Sequence, residues 1–320
     1  MKKTSFYIAA IIIVLTSCNP SNKTERKISK INAEFEFVEF HKDFFNSNEE
    51  NLEKLKNKYP FLFPSNIDNK EWIEKINNSE EKQLFNITDS TFNNLTEIKD
   101  ELKDLYKHVK FYNSNFKSPK TFSIINNLDY ENPIIYADTL AFISLDMYLG
   151  KDSEVYESFP KYISQNYTPE NISVDLAKEI IERNYIFNRE RSFLGSMIYY
   201  GKKSYLLKCL LPKKSENLIL GTSQEKFNWA IENESQIWKY FISNEMLFST
   251  DQALNKRFID TAPFSKFYLE TDKESPGQIG IFIGLKIITS FMKNNSYDLN
   301  QMTSLNASEI LQLSKYKPKK

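Results

Sequence analysis

The sequence predicts a mostly helical α+β domain in which a small strand meander is packed by helices. Three observations carry this. Apolar residues recur every three or four positions over most of the chain, the pattern of helices that bury one face. Residues 120–146 instead hold short β-rich runs separated by Asn and Asp turns. No internal repeat, low-complexity tract or linker follows residue 30, so residues 31–320 read as one domain.

The first strand is expected where Ile31, Ala33, Phe35 and Phe37 alternate with Asn32, Glu34, Glu36 and Val38. Ser47 with Glu50, and Asp68 with Glu71, have capping-box spacing, and each should open a helix. Over residues 92–112 the positions Phe92, Leu95, Ile98, Leu102, Leu105, Val109 and Tyr112 form one apolar face opposite a charged one, a helix of about five turns. The runs at 121–125, 133–136 and 140–145 are the meander, placed to pair with the first strand. Helices are then expected near 154–167, 172–184, 190–211, 223–233, 234–248 and 276–293, with a last short one opened by Asn306 and Glu309.

Composition excludes several functions. The 320 residues carry 42 Lys and Arg against 42 Asp and Glu, so no general attraction to nucleic acid exists. With 41% hydrophobic residues, including 25 Phe, the chain is too apolar for disorder. Two cysteines exclude a disulfide framework. The two histidines, His41 and His108, stand far apart with no cysteine near, so no zinc-ligand spacing exists; neither a metal nor a cofactor is expected. His41 at a strand end and His108 on the charged side of its helix are expected to be exposed or capping residues and not bases. Cys209 lies in an apolar stretch and reads as a buried free thiol.

The amino terminus suggests a location. Lys2 and Lys3 precede an apolar run at residues 6–15, about half of the ~20 residues a spanning helix needs. Leu15-Thr16-Ser17-Cys18 follows, which resembles the lipobox of bacterial lipoproteins. The resemblance implies a signal peptide at 1–17, cleavage before Cys18 and acylation of that residue; the alternative is a secretory signal followed by a buried cysteine. Several acyl chains, at about 0.8 kcal/mol per buried CH₂, anchor a domain where one does not. Residues 18–30 then form the lipid anchor and a polar tether. They lack the acidic run that resembles surface-export signals of Bacteroidetes lipoproteins, so the anchor is expected to face the periplasm. The apolar run at 279–292 is interrupted by Gly280, Gly284 and Lys286 and does not reach spanning length.

Two blocks near the carboxy terminus stand out. Asp260-Thr261-Ala262-Pro263-Phe264-Ser265 begins a polar and aromatic loop running to Glu270, a candidate interaction surface. Ser275-Pro276-Gly277-Gln278-Ile279-Gly280, continuing to Gly284, holds three of the seven glycines. Glycine inside a helix costs about 1 kcal/mol relative to alanine, so Gly280 and Gly284, on one face, are expected to admit a neighbouring backbone. No Lys-Ser/Thr pair follows to make a phosphate loop.

The lipobox, Tyr148-Leu149-Gly150-Lys151-Asp152-Ser153, Met197-Ile198-Tyr199-Tyr200-Gly201-Lys202-Lys203 and the 260–288 block, in this order, resemble the gliding-motility lipoprotein GldB family of Bacteroidetes. That resemblance implies an envelope lipoprotein required for gliding and associated with the type IX secretion apparatus. The element order is also similar to a zincin peptidase without its His-Glu-x-x-His motif. If Lys178-Glu179-Ile180-Ile181-Glu182 occupies the motif, only Glu179 matches and both imidazoles are absent; Lys178 would repel Zn²⁺ and Glu182 alone makes no three-ligand site. The expectation is therefore a non-catalytic, membrane-tethered component that binds gliding or secretion proteins through the vacated cleft or the 260–270 loop. The alternative is an envelope-acting peptidase or other hydrolase with a divergent site. A solute- or glycan-binding lipoprotein is a third reading, raised by the many aromatic residues.

Overall fold

The computed structural model describes residues 20–318, so Cys18 and the signal segment lie outside the described residues. The first part is helical: α1 (Pro20–Ile28), α2 (Phe40–Phe45), α3 (Glu49–Lys58), α4 (Asn69–Asn77), α5 (Ser79–Thr91) and α6 (Thr96–Tyr112), with strand β1 (Phe37–Val38) before α2. Strands β2 (Lys120–Ile124), β3 (Ile134–Ala137) and β4 (Leu140–Ser144) follow. Helices α7 (Lys161–Ser164), α8 (Ile172–Asn184), α9 (Phe193–Leu210), α10 (Glu216–Ile219), α11 (Gln224–Glu232) and α12 (Glu234–Ser243) come next. The chain continues through α13 (Ala253–Phe258), α14 (Ile279–Asn294), α15 (Leu299–Ser304) and α16 (Ala307–Ser314). None of these helices is long and apolar enough to cross a membrane.

The mostly helical α+β class holds, but the three strand runs do not form a meander. The sheet order is β1-β2-β4-β3, with β1 parallel to β2, β2 parallel to β4, and β3 antiparallel to β4. Burial explains the order. Thr121, Phe122 and Ser123 of β2 are all buried, so that strand needs cover on both faces and takes a central place. Ile135 of β3 stays 46% exposed, which suits an edge. The β2–β3 connection crosses the end of the sheet, where the buried Asp146 carboxylate accepts from Leu128 N at 2.8 Å and Asn126 N at 3.3 Å. Desolvation pushes this carboxyl up to about 6, against the pull of those amides.

Alternation along β2 and β4 builds a core on each side of the sheet. Phe122 and Phe142 join a smaller aromatic core with Phe40, Phe44, Phe63 and Phe85. Ala141 and Ile143 face the larger core, shared with α6, α8, α9, α12 and α14. The centre of that core is the α9–α14 crossing. A Cβ on Gly201 would lie 2.4 Å from Gly284 C, and one on Gly284 would lie 1.9 Å from Met197 O. A Cβ on Gly280, one turn earlier on the same face, would lie 2.8 Å from the Ile259 side chain and 3.0 Å from Phe258 O, so the backbone it admits is the end of α13 and not α9.

Several local expectations shift for identifiable reasons. Residues 31–36 alternate in burial, but only Phe37 and Val38 pair with β2; Phe35 packs edge-on against Tyr106 of α6 at 5.0 Å instead of extending the ladder. Asn48, not Ser47, caps α3 by accepting from Asn51 N, while Asp68 caps α4 as expected. Phe92 ends α5 and α6 starts only at Thr96. The helix expected over 154–167 is a 3-10 turn (Glu154–Tyr156) plus α7, divided by Pro160. The segment read as a tether is helical from Pro20, and Ile28 is buried beside α6.

Candidate functional site: a cleft between α8, α9 and the start of α14

Helices α8 and α9, the first turn of α14 and residues 161–166, 219–222 and 261–263 wall a cleft of about 760 Å³. Pockets that hold small ligands are typically about 300–1,000 Å³. From α8 come Lys178, Glu179 and Glu182, from α9 Tyr200 and Lys203, and from the other wall Pro263, Gly277 and Gln278. The two stretches singled out in the sequence for different reasons, the 178–182 segment and the 260–284 block, thus meet across one cavity.

Buried hydroxyls fix the α14 wall. Ser265 and Ser275 have no exposed surface. Ser265 N donates to Ser275 Oγ at 3.0 Å, and Ser265 Oγ donates to Pro276 O at 2.8 Å while lying 3.2 Å from Ile279 N, whose proton it accepts. Ser265 therefore caps α14 from a distant part of the chain, because Gln278 at the cap position has a left-handed backbone (φ 59°) and makes no cap bond. Gly277 is required here, since a Cβ would fall 2.0 Å from Ala262 O. Lys226 Nζ closes the unit by donating to Pro263 O at 2.5 Å and Ser275 O at 2.9 Å. Desolvation lowers the Lys226 pKa.

Most charges lining the cleft are already matched. Lys178 Nζ lies 2.8 Å from Asp175 Oδ1. Lys203 pairs with Glu182 and lies 4.4 Å from the Tyr199 ring centre. Glu179 has no hydrogen bond or ion pair among the described residues, and neither does the Lys161 ammonium. The Glu179 pKa is raised, first by desolvation and then by Glu182 and Asp175, against the opposing pull of Lys178 and Lys203.

The remaining candidates lie around this cleft. Asp260 is exposed outside the lining and Phe264 is half-buried behind it, so the 260–270 loop contributes to the cleft only through its first residues. Pro276 is buried beneath the wall, Gly284 serves the α9–α14 crossing, and Gly280 lies against Phe258 and Ile259 at the end of α13. Sequence reasoning missed Lys161, Gln165, Asn166 and Lys226, whose shared cavity depends on elements distant in the chain. Tyr200 and Lys203 did stand within the stretch at 197–203.

Neither histidine is exposed, against expectation: each keeps only 1% of its surface. His41 Nδ1 lies 2.8 Å from Ser123 Oγ, a serine–histidine pair buried inside the protein. His108 Nδ1 donates to Asp104 O at 2.8 Å, the carbonyl one turn back, so its ring folds along α6 into the space beside α1. Cys209 is half-buried, and desolvation pushes its thiol up to about 12, which makes it a poor nucleophile. Among the described residues no group of three His, Cys, Asp or Glu side chains is placed to hold a metal.

The structure is thus a mostly helical α+β protein with a well-formed cleft between α8, α9 and the start of α14, in which Lys178, Lys203 and Lys226 are engaged by groups of the fold. Comparison supplies the family: the chain belongs to the GldB_lipo family, gliding motility protein GldB, whose model matches residues 21–318. It is thus a gliding-motility-related protein of a lipoprotein family, associated by that class with a membrane of the envelope. No curated protein and no solved structure matches the chain.

Proposed function

We propose that the protein is a non-catalytic component of the gliding and type IX secretion machinery, acylated at Cys18, facing the periplasm, and docking a partner protein in the α8/α9/α14 cleft. The supporting observation is the lining of that cleft. Three of its four lysines, Lys178, Lys203 and Lys226, are engaged by Asp175, by Glu182 and by the carbonyls of Pro263 and Ser275, an arrangement that makes them supports of the walls and not free amine nucleophiles. Acylation at Cys18 would keep the cleft at the bilayer where envelope partners sit.

The test is complementation of gliding in cells lacking the gene. A Cys18→Ala protein exported in soluble form should fail to restore spreading while remaining folded by circular dichroism. Full restoration by that soluble protein would end the tethering part of the proposal. A second reading, an envelope-acting hydrolase, is favoured by the raised pKa of Glu179, a property of general acids. Turnover of envelope polymers by purified protein, abolished in Glu179→Gln, would select that reading instead.

A further inference from the structure

We propose that the outward face of α1 rests on anionic lipid headgroups of the bilayer that carries the Cys18 anchor. This deepens the tethering part of the reading above and relies on it for what brings α1 to the membrane. Lys23, Arg26 and Lys27 of α1, and Lys30 just after it, are all exposed. They stand at positions i, i+3, i+4 and i+7, which is one face of a helix. The turn persists to Lys30, since Ser29 N donates to Glu25 O at 2.9 Å and Lys30 N donates to Lys27 O at 3.2 Å. None of the four has an ion pair or a side-chain hydrogen bond among the described residues. Glu25, the acid of this helix, is turned the other way and lies 3.4 Å from His108 Nε2 of α6, on the side where Ile28 is buried. The face is therefore purely basic.

Three observations name a bilayer as the occupant. Only Asn19 separates Cys18 from Pro20, so covalent reach keeps the acylated residue within about 7 Å of the first residue of α1. The helix is also fixed to the body, by Ile28 against α6, by Glu25 beside His108, and just beyond it by Lys110 Nζ donating to Asn32 O at 3.1 Å. It therefore comes to the membrane with its orientation set. The third observation is charge: cations with no acid between them attract phosphodiester headgroups, and acyl chains combined with a basic patch hold a membrane more firmly than either does alone. No exposed large hydrophobic side chain belongs to α1 among the described residues, so the contact is electrostatic and not an insertion. An acyl anchor fixes one point of the body. A second contact along α1 fixes its tilt, and with it the direction in which the α8/α9/α14 cleft opens.

Cosedimentation of the mature Cys18→Ala protein with sucrose-loaded vesicles tests the face without the acyl chains. Vesicles of phosphatidylethanolamine and phosphatidylglycerol, about 2:1, should bind it at low salt and release it at about 0.5 M salt, and phosphatidylcholine vesicles should not bind it. Lys23→Gln, Arg26→Gln, Lys27→Gln and Lys30→Gln together should weaken binding at least about a hundredfold, each base being worth about fivefold, or about 1 kcal/mol, at an anionic surface. The same change of charge at the exposed Lys239, Lys256, Lys266 and Lys273 should leave binding within about twofold, since those residues lie on α12, on α13 and in the loop that follows. Circular dichroism checks that both variants stay folded. Equal binding to the two kinds of vesicle, binding unchanged by the α1 replacements, or equal loss in both variants overturns the proposal. Tighter binding to polyglutamate than to the anionic vesicles overturns it too, and assigns the face to an acidic protein segment. The tethering reading is judged separately by gliding. If the soluble Cys18→Ala protein restores spreading while the vesicles behave as expected, the basic face stands and the anchor falls. If that protein fails to restore spreading while the α1 replacements leave vesicle binding unchanged, the anchor stands and the basic face falls.

Discussion

Alanine at position 284 should destabilise the protein although alanine is the better helix former. The substitution places a Cβ 1.9 Å from Met197 O and 2.7 Å from Met197 C, whereas ordinary contact begins near 3.4 Å. Both groups belong to helix backbone and cannot rotate away, so α9 and α14 must part by about 1.5 Å at their crossing. Overpacking of this kind costs about 1–3 kcal/mol. Parting the helices also loosens the contacts of Ile281, Ile288, Met197 and Ile198, and a gap of about 1 Å forfeits up to half of a van der Waals well. Helix propensity returns about 1 kcal/mol. The overpacking and propensity terms leave a net loss of up to about 2 kcal/mol, to which the loosened contacts add, read from urea denaturation by far-ultraviolet circular dichroism. Gly201→Ala should behave similarly, its Cβ being 2.4 Å from Gly284 C. The double variant should cost less than the sum, because the first separation makes room for the second methyl. A Gly284→Ala protein as stable as the parent, or more stable, would refute the close-packing account.

Two further outcomes follow from buried polar groups. Burial lowers the His41 pKa from 6.5 to about 4, so the fold favours the neutral ring and its contribution to stability, up to about 3 kcal/mol, is present above pH 6.5 and lost as the pH falls toward 4. Asp146, raised to about 6, acts in the opposite direction, so the measurement is the difference in urea stability between parent and His41→Asn across that range; parallel profiles would remove His41 as the cause. Lys202 is buried and donates to Thr303 O at 3.0 Å and Leu305 O at 2.7 Å at the end of α15, with its pKa lowered to about 8 by burial. Lys202→Met should raise amide hydrogen exchange selectively over residues 299–314 because those carbonyls lose their donor, and uniform exchange changes across the chain would contradict this.

Local patterns were legible where one segment contains its own answer. α8 occupies the residues its periodicity marks, Asp68 and Asn306 cap the helices they precede, and the shared face of Gly280 and Gly284 is a consequence of helical repeat alone. The histidines show the opposite case. Their charged neighbours suggest exposure, but a ring can turn toward the interior when Ser123 or the Asp104 carbonyl is there to meet it. The strand order was hidden for a similar reason, since short runs carry face preference and not neighbour identity.

By itself the sequence determined the class of fold, most helix positions, the glycine contact face and the motifs that resemble the GldB family, because these depend on spacing within a few turns of chain. Tertiary structure alone decided that β2 lies between β1 and β4, that Ser265 caps a helix beginning fourteen residues later, and that Glu179 and Gly277 share one cleft. Each of these joins groups from separate segments. Their proximity arises from the burial of whole elements against one another, a balance summed over the entire core that no local window contains.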